Sequence, residues 1–193
     1  MQTLLGKTSL LIGLALLPVF GTRSASSETP NVGQKAPAFT LSTPDGHPVS
    51  LADFTSKGKV VLVVLRGYPG YQCPYCVKQV HDFVENAEKF VSAGAEVLLV
   101  YPGPPADLDQ HAKEFLAKQN PLPANIHLVV DPDYSFTNQY GLRWDAPRET
   151  AHPTTFLIDK QGVIFYRKIS EGHGDRTTAA DIVVLLQDAK TAH

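Results

Sequence analysis

The sequence is poor in cysteine and has no excess of positive charge. With only two cysteines among its 193 residues, it cannot be a multi-disulfide scaffold or hold zinc through cysteines alone. Its formal net charge of -2 leaves no basic surplus for neutralising phosphates, which argues against a nucleic-acid partner. Hydrophobic residues make up 43% of the chain, too many for a disordered tail. These exclusions leave one globular domain with a single core.

Long hydrophobic runs are absent except near the N-terminus. After Lys7, residues 9–20 form an apolar run of about a dozen residues, and small and polar residues follow. This run is shorter than the ~20 residues that a membrane-spanning helix needs. The order predicts a secretory signal peptide over residues 1–25, with an uncleaved anchor as the alternative. We therefore expect an exported, periplasmic or secreted protein that has no membrane span after processing, with its domain at residues 30–193.

The rest of the chain alternates between short apolar runs and segments of helical periodicity. Strands are predicted at 59–65, 95–101 and 126–130, followed by a hairpin of 154–159 and 163–168 that turns at Gly162. Helices are predicted from Cys76 to Val91 with Gly94 ending the helix, and at 107–120 and 177–189. This alternation indicates an α/β fold whose mixed sheet is covered by helices on both faces.

The chemistry is predicted at the motif Cys73-Pro74-Tyr75-Cys76, between the first buried strand and its helix. Two cysteines at this spacing can close a disulfide with little chain motion. The helix N-terminus favours a thiolate, so the cysteine nearest that end should have a lowered pKa. A thiolate attacks disulfides and peroxides. The alternatives are an inert structural disulfide or half of a zinc site, and the scattered histidines give no paired spacing for the latter.

A proline directly before a predicted strand is the second feature. Pro153 precedes Thr154, and a cis peptide bond there would direct the preceding backbone at the sulfurs. An ordinary trans proline at a strand edge is the alternative. Next to an upstream CxxC motif, we expect the cis form.

Together these motifs make the chain resemble the thioredoxin-fold redoxins, within them the alkyl hydroperoxide reductase/thiol-specific antioxidant family. Residues 33–39, 45–46 and 49–54 are similar to the N-terminal extension of that branch, and residues 130–142 to its segment before the hairpin. The resemblance implies a three-layer thioredoxin-like sandwich. It also implies a thiol oxidoreductase with no cofactor and no metal.

The active-site loop allows two assignments of the attacking cysteine. The spacing from Pro69 to Cys76 matches a peroxiredoxin Pro-xxx-Thr-xx-Cys loop, with Cys73 in the threonine position and Cys76 as the peroxide-attacking cysteine. Thioredoxin-like reductases instead attack through the first cysteine, here Cys73. The arginine that peroxiredoxins carry before the Thr-Phe strand is replaced by Pro153, so substitutes for it are sought elsewhere in the sequence, namely Arg66, Arg143 and Arg148.

The expected function is therefore a thiol-based oxidoreductase that cycles Cys73 and Cys76 between dithiol and disulfide. Its substrate would be a peroxide or a protein disulfide, and its partner an external, thioredoxin-like dithiol reductant. A protein-disulfide oxidoreductase without peroxidase activity and a non-catalytic thioredoxin-fold binding module remain as alternatives.

Overall fold

Seven strands form one mixed sheet in the computed structural model, which describes residues 27–119 and 121–191. The strands are β1 Thr40–Ser42, β2 Pro48–Ser50, β3 Lys59–Val64, β4 Ala95–Gly103, β5 Ile126–Pro132, β6 Thr154–Ile158 and β7 Ile164–Ile169. The helices are α1 Leu51–Thr55, α2 Pro74–Glu85, α3 Ala87–Ser92, α4 Leu108–Leu116, α5 Ser135–Gln139 and α6 Ala179–Thr191. The predicted signal peptide lies outside the described residues.

The sheet has the order β2-β1-β5-β4-β3-β6-β7, with a parallel centre and antiparallel edges. β4 runs parallel to β3 and β5, while β6 pairs antiparallel with β3 and with β7. At the other edge, β1 is antiparallel to β5 and β2. This is the mixed sheet that the sequence pattern predicts.

Both faces of β3, an interior strand between β4 and β6, are covered, which explains its unbroken apolar sequence. Val61 and Val63 pack into one hydrophobic cluster with residues of α2, α4 and α6. Val60, Leu62 and Val64 pack into a second cluster, with residues of α1 and α5. The two cysteines belong to the first cluster, so the site lies on one face of the sheet.

The helix predicted from Cys76 to Val91 is in fact two helices. The chain breaks at Asn86 (φ -107°, ψ 14°), whose side-chain amide donates to the Asp82 carbonyl oxygen at 2.8 Å. A side-chain bond to the helix backbone competes with continuation of the helix, and hydrophobic periodicity does not reveal it. Gly94 follows the second helix with φ 72°, as its predicted stop position requires.

The predicted hairpin between β6 and β7 is confirmed. Gly162 takes φ 77° in the turn, and the Asp159 carboxylate accepts from the backbone N–H groups of Gln161 and Val163 at 2.9 and 2.8 Å. α6 begins at Ala179, two residues later than its predicted start. None of the helices described in residues 27–191 is long and apolar enough to cross a membrane.

Candidate active site

The two cysteines lie at the start of α2, directly after the loop that leaves β3. Cys73 is the N-cap residue of α2, Pro74 occupies the first turn, and Cys76 follows in the same turn. Proline suits this position because its fixed φ is helical and its missing N–H has no partner there anyway. Both cysteines are free thiols with no exposed surface.

The environment separates the two thiols electrostatically. The pKa of Cys73 is lowered, first because the Cys76 thiol hydrogen-bonds to it, and then because Arg176 and Arg66 supply positive charge and a hydrogen bond. The pKa of Cys76 is raised, mainly by burial and by the hydrogen bond with Cys73. Cys73 is therefore the cysteine that favours the thiolate, in line with its predicted place at the helix end.

Arg66 lies directly after β3 and is almost fully buried, with 2% of its surface exposed. Its Nε donates to Glu149 Oε2 at 2.6 Å, and its Nη2 donates to Glu149 Oε1 at 3.1 Å. Nη1 donates to the Tyr71 hydroxyl at 2.6 Å. Burial acts to raise the pKa of Glu149, but its bonds to Arg66 and His173 outweigh burial and lower that pKa. The pair stays charged, because such a bidentate contact satisfies both partners.

Arg176 reaches the sulfurs from the loop between β7 and α6. Its Nη2 lies 3.6 Å from Cys76 Sγ and 3.9 Å from Cys73 Sγ. Its Nε donates to the His173 carbonyl oxygen at 2.8 Å, and its Nη1 donates to Gln79 Oε1 at 3.1 Å. One guanidinium therefore faces both sulfurs, where positive charge stabilises a thiolate.

An open groove runs from this arginine along α2. Its volume is about 470 Å³. The groove is lined by Tyr75, Gln79, Asp82, Glu85, Arg176 and Thr177, among others. Asp82 accepts from the Ala179 backbone N–H at 2.6 Å and so joins α2 to α6. The groove ends at Arg176, which contacts both sulfurs, and neither cysteine lines it.

Comparison with known proteins identifies the family. The model of the AhpC/TSA family matches residues 32–167. The chain belongs to the AhpC/TSA family. Among its relatives in this family is a putative peroxiredoxin bcp of Coxiella burnetii, 38% identical over 138 residues, which are 69% of this chain and 84% of that protein. A chloroplastic peroxiredoxin Q of Sedum lineare is 36% identical over 132 residues, 68% of this chain and 65% of that protein.

The match to some AhpC/TSA relatives is partial in length. A chloroplastic peroxiredoxin Q of Populus jackii is 34% identical over 134 residues, and the match covers 69% of this chain but only 58% of that protein. The chain thus spans less than two thirds of both plant relatives. Among solved structures, a reduced 2-Cys peroxiredoxin of Plasmodium vivax shares the fold with a TM-score of 0.66 at 18% identity, covering 84% of this chain and 83% of its own. The thioredoxin-like fold expected from the sequence is confirmed.

The expectation of a cis peptide bond before Pro153 is wrong. Residues 27–119 and 121–191 contain no cis peptide bond, so the bond is trans. The His152 N–H donates to the Leu142 carbonyl oxygen at 2.9 Å, and the Pro153 carbonyl accepts from Ser170 N–H at 2.8 Å. These bonds continue the extended backbone into β6, where a trans proline at the first position is tolerated. Pro153 is buried, and Pro69 lies half-buried in the loop after β3.

Two of the three arginines proposed from sequence as substitutes, Arg143 and Arg148, have side chains that make no contact with the sulfurs. Arg143 donates to the Trp144 and Thr150 carbonyl oxygens at 2.5 and 2.6 Å, which fixes the loop before β6. The Arg148 side chain is exposed, and its backbone, at φ 63°, directs its carbonyl oxygen to Arg66 Nη2. The cations near the thiols are Arg66 and Arg176. Arg66 was a sequence candidate, whereas nothing in the sequence singled out Arg176.

Proposed function

We propose that this protein is a thiol-dependent peroxidase in which Cys73 attacks the peroxide and Cys76 resolves the product. One observation carries the proposal: the Arg176 guanidinium lies 3.6 Å from Cys76 Sγ and 3.9 Å from Cys73 Sγ, so one positive charge faces both sulfurs. The peroxiredoxin names of the relatives support the peroxidase activity and do not bear on which cysteine attacks. The lowered pKa of Cys73 supports it as the nucleophile.

The reaction balances with the two cysteines and an external dithiol. The Cys73 thiolate attacks the terminal oxygen of a hydroperoxide, the O–O bond breaks, and the leaving alkoxide takes the proton of the Cys76 thiol. The products are an alcohol and a sulfenic acid on Cys73. The Cys76 thiolate then attacks the Cys73 sulfur and releases hydroxide, which solvent protonates to water. A dithiol partner, of thioredoxin type, reduces the disulfide and is itself oxidised.

The site geometry suits this sequence of steps. Because Cys73 and Cys76 lie in the first turn of one helix, the disulfide can form without unfolding α2. Arg176 lies where it can stabilise the thiolate and the negative charge that develops on the leaving oxygen.

The same proposal includes export of the protein. The apolar run at residues 9–20 and the small and polar residues after it support a cleaved signal peptide at residues 1–25, with the redoxin domain at residues 30–193. In a periplasmic or extracellular compartment the Cys73–Cys76 disulfide would persist until a dithiol partner reduces it.

Single cysteine variants test the proposal. After one pulse of hydrogen peroxide, Cys76→Ser should consume one equivalent and retain a sulfenic acid on Cys73, trapped by a sulfenate reagent and located by mass spectrometry. Cys73→Ser should lose this step, and neither variant should turn over with a dithiol. Sulfenic acid on Cys76 in the Cys73→Ser variant would assign the attack to Cys76 instead. Reduction of a protein disulfide, without peroxide consumption by the wild type, would contradict the peroxidase assignment.

A further inference from the structure

Two loops meet over the thiols, and His173 joins them. One loop connects β7 to α6 and carries His173 and Arg176, while the other precedes β6 and carries Glu149. His173 Nε2 lies 3.0 Å from Glu149 Oε1, the same oxygen that accepts from Arg66 Nη2 at 3.1 Å. The His173 backbone carbonyl accepts from Arg176 Nε at 2.8 Å. This one residue therefore contacts the carboxylate that binds Arg66 and binds Arg176 directly through its backbone carbonyl.

Hydrogen bonds fix the backbone after His173, where the Gly174 carbonyl oxygen accepts from Arg176 N–H at 3.0 Å and the Asp175 carbonyl oxygen accepts from Ser170 Oγ. Gly172 and Gly174 flank the histidine, and glycine gives a loop wide conformational freedom. A Cβ on Gly174 would meet the Tyr75 ring at 3.3 Å, so the loop passes close against the residue between the two cysteines. Further along, Asp175 pairs with Lys168 at 2.6 Å, which ties that end of the loop to β7. The contact between His173 and Glu149 is what ties its other side to the site.

Aromatic rings and one carboxylate face the His173 side chain. The Tyr75 ring centroid lies 6.3 Å from that of His173, and the Trp144 ring centroid lies at 5.5 Å. The titratable groups facing the imidazole are thus Glu149 and Tyr75. With Glu149 ionised, Nε2 must carry a proton, whether the ring is neutral or charged. A donor at Nε2 can hold Glu149 Oε1 beside Arg66 Nη2, while Arg66 Nε binds Oε2.

We propose that His173 is a positioning residue that holds Arg66 and Arg176 in place at the Cys73–Cys76 pair. It acts through Glu149 on Arg66 and through its own carbonyl group on Arg176. The inference rests on the proposed function in one respect, namely that the reacting group is the Cys73 thiolate. If the His173 contact is lost, the two loops separate, both cations move from the sulfurs, and the reactivity of Cys73 falls.

Two substitutions separate donation by His173 from packing. His173→Phe keeps a ring against Tyr75 and Trp144 but lacks the donor, whereas His173→Gln keeps a donor. The readout is the rate of alkylation of the reduced protein by iodoacetamide as a function of pH. His173→Phe should raise the apparent pKa of the reactive thiol by about one unit, a roughly tenfold loss of thiolate at pH values below the wild-type pKa of that thiol. His173→Gln should stay within about twofold of wild type.

Two controls guard against general effects. His47→Ala changes an exposed histidine in the turn between β1 and β2 and should leave the alkylation profile unchanged. Asp175→Asn weakens the other anchor of the same loop without touching Glu149. An effect of Asp175→Asn as large as that of His173→Phe would mean that loop order in general, not His173, governs the thiols, and would overturn the proposal.

Other outcomes decide the proposal in the same way. An unchanged thiol pKa in His173→Phe, or equal losses in the Phe and Gln variants, would contradict it. The wild-type protein offers a measurement independent of variant folding: nitrogen NMR should find His173 Nε2 protonated at neutral pH, and a bare Nε2 would also contradict it. Because alkylation requires no peroxide, failure of the peroxidase assignment would appear separately, as absence of peroxide consumption by the wild type.

Discussion

At the scale of single residues, two guanidinium groups act on the same pair of thiols. Arg66 is held by Glu149 and Tyr71, whereas Arg176 is held by a backbone carbonyl and by Gln79. Arg176 is the one that touches both sulfurs. Its charge is therefore expected to affect thiol reactivity more directly than any other single cation of the described chain.

Replacing Arg176 tests this assignment. Arg176→Met keeps much of the side-chain length but removes the charge, so we expect the pKa of Cys73 to rise. Peroxide consumption should fall by about 10–100-fold, chiefly because the leaving oxygen loses the charge that stabilises it. Stopped-flow measurement of peroxide consumption and pH-dependent alkylation would check both effects.

The matched control is Arg148→Met, since the Arg148 side chain is exposed and only its backbone reaches the site. It should behave as wild type in both measurements. If Arg176→Met reacted with peroxide as fast as wild type, the contacts of Arg176 with the sulfurs would have no catalytic meaning.

The sequence leads directly to Cys73 and Cys76 but not to Arg176, for a physical reason. The cysteines lie at a strand-to-helix junction, where spacing and helix-end electrostatics together predict reactivity. Arg176 lies 103 residues after Cys73 in an irregular loop. The position of Arg176 beside the sulfurs depends on how β7 and α6 pack against α2. Neither hydrophobic periodicity nor a local sequence motif predicts that packing. A buried arginine such as Arg66 is equally hard to distinguish from a surface cation by sequence alone.

At the scale of elements, the first turn of α2 connects stability to pH. The pKa of Cys73 is lowered in the folded protein, so its contribution is present above the ordinary thiol pKa of about 8.5 and is lost as pH falls through its native pKa. The raised pKa of Cys76 has the opposite sign and removes stability as pH rises beyond about 8.5. The combined contribution of these two thiols to the stability of the reduced protein should therefore be largest near about pH 8.5.

Urea denaturation of the reduced protein between pH 6 and pH 8 measures this linkage. The free energy of unfolding should rise by up to about 1.4 kcal/mol per pH unit in wild type relative to Cys73→Ser. Parallel pH profiles for the two proteins would mean that Cys73 titrates alike in the folded and unfolded states.

The loop between β3 and α2 requires glycine at its first bend. Gly67 has φ 66°, and a Cβ there would lie 1.8 Å from the Pro102 carbonyl oxygen, which also accepts from Tyr68 N–H at 2.9 Å. Gly67→Ala should therefore lower both the free energy of unfolding and the rate of peroxide consumption, because the loop leading to Cys73 must shift.

Gly70→Ala is the comparison for this substitution. Gly70 also has positive φ, at 103°, but open space surrounds its Cβ position. It should show only the backbone strain of about 1–3 kcal/mol, with a smaller loss than Gly67→Ala in chemical denaturation. Equal losses in the two variants would show that the close approach to Pro102 is relieved at no cost.

Elements themselves were predictable to different degrees. The buried strands and the hairpin are predictable because their signals, runs of β-branched residues and a glycine in the turn, lie within the elements themselves. The break at Asn86 is not predicted, because the hydrophobic periodicity continues across this residue. The break depends instead on the bond from the Asn86 side-chain amide to the Asp82 carbonyl oxygen. The trans bond at Pro153 was missed because the backbone bonds that fix it come from Leu142 and Ser170, far away in sequence.

At the scale of the whole molecule, the two hydrophobic clusters separate stability from reactivity. Phe39 packs against Phe136 and Tyr140 on the face of the sheet opposite the thiols, with ring centroids at 4.8 and 6.0 Å. Phe39→Ala should cost about 3–5 kcal/mol of unfolding free energy. Thiol alkylation by the folded variant should nevertheless match wild type.

Val32→Ala provides the control, because Val32 lies in the same N-terminal segment but is 57% exposed. It should change the unfolding free energy by no more than about 0.5 kcal/mol. A changed alkylation profile in folded Phe39→Ala would mean that the two faces of the sheet are coupled.

The placement of both sulfurs in one helical turn also bears on how long the protein survives its own chemistry. A sulfenic acid formed on Cys73 would have its resolving thiol, Cys76, within the same turn of α2. Ring closure would therefore compete with the arrival of a second oxidant, and each closure would keep the sulfur from the sulfinic acid, from which ordinary thiols cannot recover it. A pair of cysteines placed so close together would thus slow the inactivation of the protein during sustained oxidative stress.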